Sequence, residues 1–346
     1  MSTTTSGPAT PSAVPVPATV DDPRGPWWHR LPVVAQLRRS VGLQRGMLVA
    51  GLVILGVFLV TAAIAPLVAP YGFGQLGTDA GSFPRQAPPS AEHLWGTTVG
   101  GYDVFSRVVW GTRTALAVIV VAVVLSITLG VALGLVSGYL GGWLDRVLVV
   151  VADAVYAFPS LLLAIVVSIV ISGGQSSLWG GILAAGISIT VVYVPQYFRV
   201  VRAEAVRLRG EAFVESAKVN GSSAGRIMGK HVLRNATRSL PLILTLNASE
   251  AILTLAALGF LGFGIGPTAA AEWGYDLNRA LSDTASGIWW TGVFPGAAIV
   301  LVVLGITLVG ESLNDLADPR LRTRRRAGRT PKQKAAAAAT TEEARA

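Results

Sequence analysis

The chain of 346 residues has no cysteine and only three histidines, His29, His93 and His231, far apart in sequence. Disulfides, zinc–thiolate sites and thiol catalysis are therefore excluded, and the histidines show no metal-ligand spacing. Charge is scarce as well: 14% of residues are charged, against roughly 25% in an average soluble domain. A nucleotide-binding loop is also missing. The nearest string, Gly225-Arg-Ile-Met-Gly229-Lys230-His231, has one residue too few between its glycines and no hydroxyl residue after the lysine. No His-Glu-x-x-His run occurs either.

Apolar residues are abundant, at 52%, and they are gathered into long runs. Six segments, at about 47–69, 114–137, 147–172, 178–198, 240–263 and 289–311, each approach the roughly 20 residues that cross a bilayer as a helix. Isolated strands would leave backbone groups unpaired in lipid, so helices are expected. The fold class is therefore all-α, a polytopic membrane protein with six transmembrane helices, its membrane domain covering 46–320. Residues 1–45, with Val14-Pro15-Val16-Pro17 and many Ser, Thr and Ala, bury too little apolar surface to offset their chain entropy. They are expected to form a disordered tail, with Trp27 and Trp28 placed to meet a membrane surface. The first apolar run begins too far along the chain for a secretory signal. The basic, Ala-rich segment 321–346 is expected to be a second loose tail.

Basic residues set the orientation. With the N-terminus inside, the segments 1–46, 138–146, 199–239 and 312–346 carry 24 of the 28 Lys and Arg. Only Arg85, Arg107, Arg113 and Arg279 remain elsewhere. Such a bias follows the positive-inside rule and places both termini in the cytoplasm. The net charge of +9 is thereby assigned to topology and anionic inner-leaflet lipid rather than nucleic acid.

The longest hydrophilic stretch between spans is 199–239. Helix formers from Glu211 to Val219 predict a helix of about two turns, and Asn220-Gly221 predicts its stop, since glycine takes the left-handed conformation without a Cβ penalty. Ser222 or Ser223 is expected to cap the next helix. Glu215-Ser216-Ala217, three residues, then Gly221 resembles the EAA loop of permease subunits in bacterial ATP-binding-cassette importers. Ser216 stands for the family's middle Ala. His231-Val-Leu233 is similar to the His-Ile-Leu of dipeptide and oligopeptide permeases, with Arg234 where Pro is usual. The resemblance extends through His93-Leu-Trp-Gly96-Thr97, Asp103-Val-Phe-Ser-Arg107, Gly138-Tyr-Leu-Gly-Gly142-Trp-Leu-Asp145-Arg146, Phe158-Pro159-Ser160, Phe260-Leu-Gly262, Phe294-Pro-Gly296 and Asp318-Pro-Arg-Leu-Arg322. It covers about 92–322.

The resemblance implies a type I importer permease fold and the second, C-type permease of a peptide-importer pair. It implies a location in the bacterial inner membrane, and as partners a homologous permease, two ATPase subunits or domains and an extracytoplasmic binding protein. Cargo would be di- or oligopeptides, with nickel chelates, opines or oligosaccharides as alternatives within the same machine. The chain itself is expected to be non-catalytic, with ATP and Mg on the partner ATPases. Glu211, Glu215, Ser216, Ala217, Gly221 and His231 would form the coupling element; an ordinary solvated loop is the plainer alternative. Asp153 in the third span matches a family Asp and is expected to make a salt bridge or hydrogen bond within the bundle. Glu250 departs from the family, whose Glu often falls where this chain has Leu255. It either lines the pathway or pairs with a neighbouring subunit. Asp145, Arg146 and Glu311 are expected at span ends. Gly130, Gly134 and Gly138 form a small-residue stripe that permits close helix packing. A secondary transporter would require internal repeats around a central polar site, and an intramembrane enzyme a nucleophile–base or metal constellation; neither is evident.

Overall fold

A computed structural model describes residues 43–172 and 177–317. Most of the N-terminal tail, with Trp27 and Trp28, and the whole C-terminal tail, with its arginine run, lie outside the described residues. Helix α1 spans Leu43–Val68, so residues 43–45 belong to the first span rather than to a tail. The two-residue strands β1 (Gly77–Thr78) and β2 (Gly81–Ser82) pair antiparallel. The remaining major helices are α2 (Val104–Leu140), α3 (Gly142–Ala157), α4 (Ser160–Ser172) and α5 (Leu178–Arg209), followed beyond a polar loop by α9 (Leu240–Phe260), α10 (Trp273–Ala285) and α11 (Trp290–Ala317). The loop itself holds α6 (Ala212–Val219), α7 (Ala224–Ile227), a π-helical turn at Met228–Val232 and α8 (Leu233–Ala236).

Five of these helices are long and apolar enough to cross a bilayer, or six where the bent pair α3–α4 is counted as one broken span. The expected single span at 147–172 is thus two helices meeting at 100°. Pro159 explains the break. Its ring excludes the helical conformation at Phe158, which is extended (φ −84°, ψ 137°). Two further spans are longer than their apolar runs. Helix α2 starts ten residues before the expected 114, because Asp103 caps it by accepting from the Ser106 N–H at 2.8 Å. At 37 residues it is about 55 Å long and must project beyond a hydrocarbon core of about 30 Å. Helix α5 runs eleven residues past the expected 198, so Arg199 lies inside a helix rather than at the start of a loop.

The centre of the bundle is the α2–α5 pair. Ideal Cβ atoms on Gly134 and Gly138 would lie 2.7 Å from the Phe198 carbonyl oxygen and 2.5 Å from that of Arg202. Gly130 faces Tyr197 and Val194 in the same way. The expected small-residue stripe is therefore a packing seam in which the backbones approach closely. Residues 130, 134 and 138 meet partners that also rise in number, so the two helices run parallel. The chain between them must cross the bilayer once in return, which α3–α4 does.

At the end of the bundle opposite the 210–239 loop, residues 69–103 and 261–289 form a cap held by buried polar contacts. Arg107, 1% exposed, donates from Nε to Asp276 at 2.7 Å and from Nη1 to the Phe73 carbonyl at 3.0 Å. Gln86 donates to Asp283 at 2.6 Å, and His93 Nδ1 lies 2.9 Å from Asp103. Glu272 caps α10, accepting from Gly274 and Tyr275 N–H. Complete burial pushes its carboxyl up to about 8, against the pull of those two N–H groups. Burial likewise raises Asp276, which Arg107 draws back down.

Two measurements test this packing. Gly134→Leu drives a branched side chain into the α5 backbone and should lower stability by about 1–3 kcal/mol, read as a fall in the melting temperature of the detergent-solubilised protein. Arg107→Ala leaves the Asp276 carboxylate buried without its partner and should cost about 3–5 kcal/mol, whereas the double variant Arg107→Met/Asp276→Leu should lose less than the single one. A single variant as stable as wild type would show that the pair does not hold the cap.

Candidate coupling loop and membrane-embedded charges

The loop 210–239 is built outward from α5. Gly210 ends that helix, and Arg207 on its last turn donates to Glu204 (2.9 Å) and Glu211 (3.2 Å). Glu211 occupies the N-cap position of α6, yet its side chain bonds Arg207 instead of capping. Val214 is completely buried and pins α6 to the bundle; half-buried Ala217 packs on the same core. Glu215 points to solvent, as do Phe213 (40% exposed) and Val219 (89%). Ser216 donates to the Ala212 carbonyl within α6, at 2.9 Å.

The turn after α6 is a Schellman motif. The Gly221 N–H donates to Lys218 O (2.9 Å) and the Ser222 N–H to Ala217 O (3.0 Å), the pairing that satisfies the last free carbonyls of a helix. Gly221 has φ +72°, and nothing lies within 4 Å of where its Cβ would be. Ser223 sits at the N-cap of α7 as expected, but its side chain makes no capping bond. His231 falls in the π turn, half-buried, with its ring centroid 6.5 Å from that of Phe213. Glu211, Glu215, Ser216, Ala217 and Gly221 are thus drawn into one helix and turn, and His231 returns to its flank through Phe213.

Sequence reasoning did not single out Phe213 and Val219. Their signal was available: large apolar side chains in a hydrophilic stretch that the fold leaves uncovered. Val219 lies one turn from Glu215 on the same exposed face, and an apolar residue beside a carboxylate on a short anchored helix makes a surface able to dock into a groove on another protein.

The charges in the spans separate into two groups. Asp145 accepts from Arg202 at Nε (2.5 Å) and Nη2 (2.8 Å) and from Ser137, joining α3 to both seam helices. Asp153 accepts from Arg199 Nη2 at 2.7 Å, the bundle salt bridge that its place in the third span implied. That pair stays about half exposed, with the Arg199 guanidinium 4.2 Å above the Tyr156 ring. Glu250 on α9 is exposed, at the middle of that helix. Arg199 and Tyr156 were not expected here, because Arg199 reads as loop once the apolar run ends.

Residues 130–323 match the family described as binding-protein-dependent transport system inner membrane component. The chain belongs to that family. It is 37% identical over 278 residues to the dipeptide transport system permease protein DppC of Alkalihalophilus pseudofirmus, covering 80% of this chain and 86% of that one. Against DppC of Escherichia coli K12 the identity is 38% over 316 residues, or 90% and 96% of the two chains. The glutathione transport system permease protein GsiD of Shigella flexneri is 34% identical over 305 residues, 87% of this chain and 93% of that one. The matched family region takes in the glycine seam, the bent span, the loop 210–239 and both later spans.

Gly221 offers a clean test because its surroundings are empty. Gly221→Leu meets no clash and pays only for the left-handed backbone, about 1–2 kcal/mol, which the short turn can avoid by rearranging. Membrane insertion should be intact while substrate uptake by the assembled transporter falls sharply. Uptake at the wild-type rate would show that the turn need not hold this geometry.

Proposed function

We propose that this chain is one of the two permeases of an ATP-driven peptide importer, and that α6 with its Gly221 turn carries ATP-driven motion from cytoplasmic ATPases into the membrane helices. The observation that supports this most is the construction of α6. It is a two-turn helix, anchored by Val214, closed by a Schellman turn, and exposed along the face that carries Glu215 and Val219, with Phe213 exposed on its other flank beside His231. A rigid helix on a fixed turn passes on a displacement that a flexible loop would absorb. Glu215 supplies a charge for a complementary partner, and Val219 supplies area.

The loop lies in the cytoplasm under the positive-inside rule, with nine basic residues between 199 and 239. Both termini then face the cytoplasm of a bacterial cell. The sequence has no phosphate-binding loop, so hydrolysis of MgATP belongs to partner chains and this subunit is non-catalytic. A homologous permease completes the pathway, and an extracytoplasmic binding protein delivers cargo to the outer cap. Di- or oligopeptides are the cargo favoured by the names of the dipeptide permeases above, and the glutathione permease points to a related amide-linked substrate.

The deciding experiment is ATP hydrolysis by the complex purified through a tag on this chain, reconstituted with its binding protein and short peptides. Hydrolysis stimulated by peptide is the expected result. Basal hydrolysis with no peptide response would move the cargo to glutathione, metal chelates, opines or sugars. Failure of any ATPase to co-purify would overturn the importer reading in favour of a secondary transporter. In the same preparation Glu215→Lys should lower the yield of bound ATPase and the stimulated rate together; unchanged values for both would show that Glu215 is merely solvated.

A further inference from the structure

The outer surface of the bundle is apolar over most of its membrane depth. Val53 and Val57 on α1, Val120 and Val124 on α2, and Val166 and Val170 on α4 are all more than half exposed. One region departs from this. Glu250 is the eleventh of the 21 residues of α9, about 15 Å from either end of the helix. It is exposed, and among the described residues no Lys, Arg or His makes a salt bridge with it. The half-exposed Asp153–Arg199 pair belongs to the same region. Tyr156 belongs to that pair, its ring carrying the Arg199 guanidinium. Helix α5 connects it to Glu250: six residues before Arg199, the Tyr193 hydroxyl is 3.2 Å from that of Thr254, one turn along α9 from Glu250.

Lipid cannot cover this region cheaply. Even on the most permissive scale a charged side chain at the bilayer centre costs about 2.5–3.5 kcal/mol. Dry protein is no better, because a carboxylate enclosed without a cation carries an uncompensated desolvation penalty of several kcal/mol. Water is the surrounding that leaves Glu250 ionised at that depth. Arg199 is already neutralised by Asp153, so the region as a whole carries one net negative charge, on Glu250.

We propose that the groove between α3, α5 and α9 is this chain's share of the translocation pathway, hydrated at the depth of Glu250, and that Glu250 there attracts the ammonium end of a passing peptide. The ammonium assignment rests on the peptide-importer reading; the hydration and the cation preference do not. The Asp153–Arg199 pair then forms a neutral wall on the cytoplasmic side of the carboxylate, and Tyr156 and Tyr193 give the groove hydroxyl-tipped aromatic sides.

The absence of cysteine makes this directly testable, since every introduced thiol in this chain is the only one. Glu250→Cys and Asp153→Cys are compared with the lipid-facing controls Val57→Cys and Val120→Cys, in the whole complex in membrane vesicles. Modification of this chain by membrane-impermeant cationic and anionic methanethiosulfonates is followed without peptide. A thiol must ionise to react, and burial in hydrocarbon suppresses ionisation. Glu250→Cys and Asp153→Cys should therefore react more than about tenfold faster than the controls. A Tyr156→Cys thiol, which leaves the Asp153–Arg199 pair intact, should prefer the cationic reagent with Glu250 present, and adding Glu250→Gln should abolish that preference. A Glu250→Cys thiol as inert as the controls would overturn the proposal, as expected if a basic residue of the second permease covers the site. An unchanged reagent preference in the Glu250→Gln background would overturn the role of its charge. Because no peptide is present, failure here is distinct from a failure of peptide to stimulate hydrolysis.

Discussion

The parallel seam between α2 and α5 governs the architecture. In lipid no hydrophobic force draws two apolar helices together, so close association depends on backbone approach and van der Waals contact. Glycines at 130, 134 and 138 supply that approach against the α5 segment 194–205. Parallel packing then dictates the connection. A chain that leaves α2 at one side of the bilayer must return to the other before α5 can begin, and the segment 142–172 provides the crossing. The bend at Pro159 lets that segment cross without lying straight along the seam. Its first half is fastened to both seam helices through Asp145, Ser137 and Arg202.

The two ends of the bundle are made rigid by different means. The outer cap relies on buried polar partners far apart in sequence, Arg107 with Asp276 and Gln86 with Asp283. A buried ion pair adds little net stability compared with apolar packing, but it is intolerant of misplacement. Such pairs fix how the 69–103 segment sits on α10. At the other end, small and aliphatic anchors hold the loop: Val214, Ile227, Val232 and Ala236 are all essentially buried, while the charged residues around them face out. That end keeps its charges accessible and its backbone fixed.

The spans were legible because hydrophobicity reports the bilayer, and for the same reason the helices beyond the bilayer were not. The first ten residues of α2 contain Arg107, whose partner is 169 positions away, so no local pattern marks them as buried helix. The eleven residues from Arg199 to Arg209 read as loop because their charges end the apolar run, although the helix continues. Helix α10 has only 13 residues and a polar face, and its cap depends on Glu272 folding back onto Gly274 and Tyr275. Pro159 stood inside one continuous apolar run, so the segment reads as a single span and the 100° bend at the proline is not legible in its hydrophobicity. In the candidate site, Gly221 was legible because a left-handed turn is a local requirement. The diversion of Glu211 to Arg207, the missing Ser223 cap and the π turn around His231 depend on the end of α5, which the sequence reads as finished too early.

Helix α5 also links the two proposed activities in one body. Its 32 residues carry Tyr193 and Arg199 along the charged groove and Arg207 beside α6, and Pro195 does not interrupt it. Only Gly210 and Glu211 lie between α5 and α6, and the Arg207–Glu211 pair and the buried Val214 hold that junction. A displacement applied to α6 therefore reaches α5 as a whole, and through the glycine seam it reaches α2. Helix α9, with Glu250, begins on the far side of the π turn and packs on α5 over a much smaller interface than the seam, one that includes the Tyr193–Thr254 hydroxyl contact. Movement entering at the loop should therefore open or close the groove between α5 and α9 before it disturbs α2 and α5, so the packing itself selects which surface responds to motion of the loop.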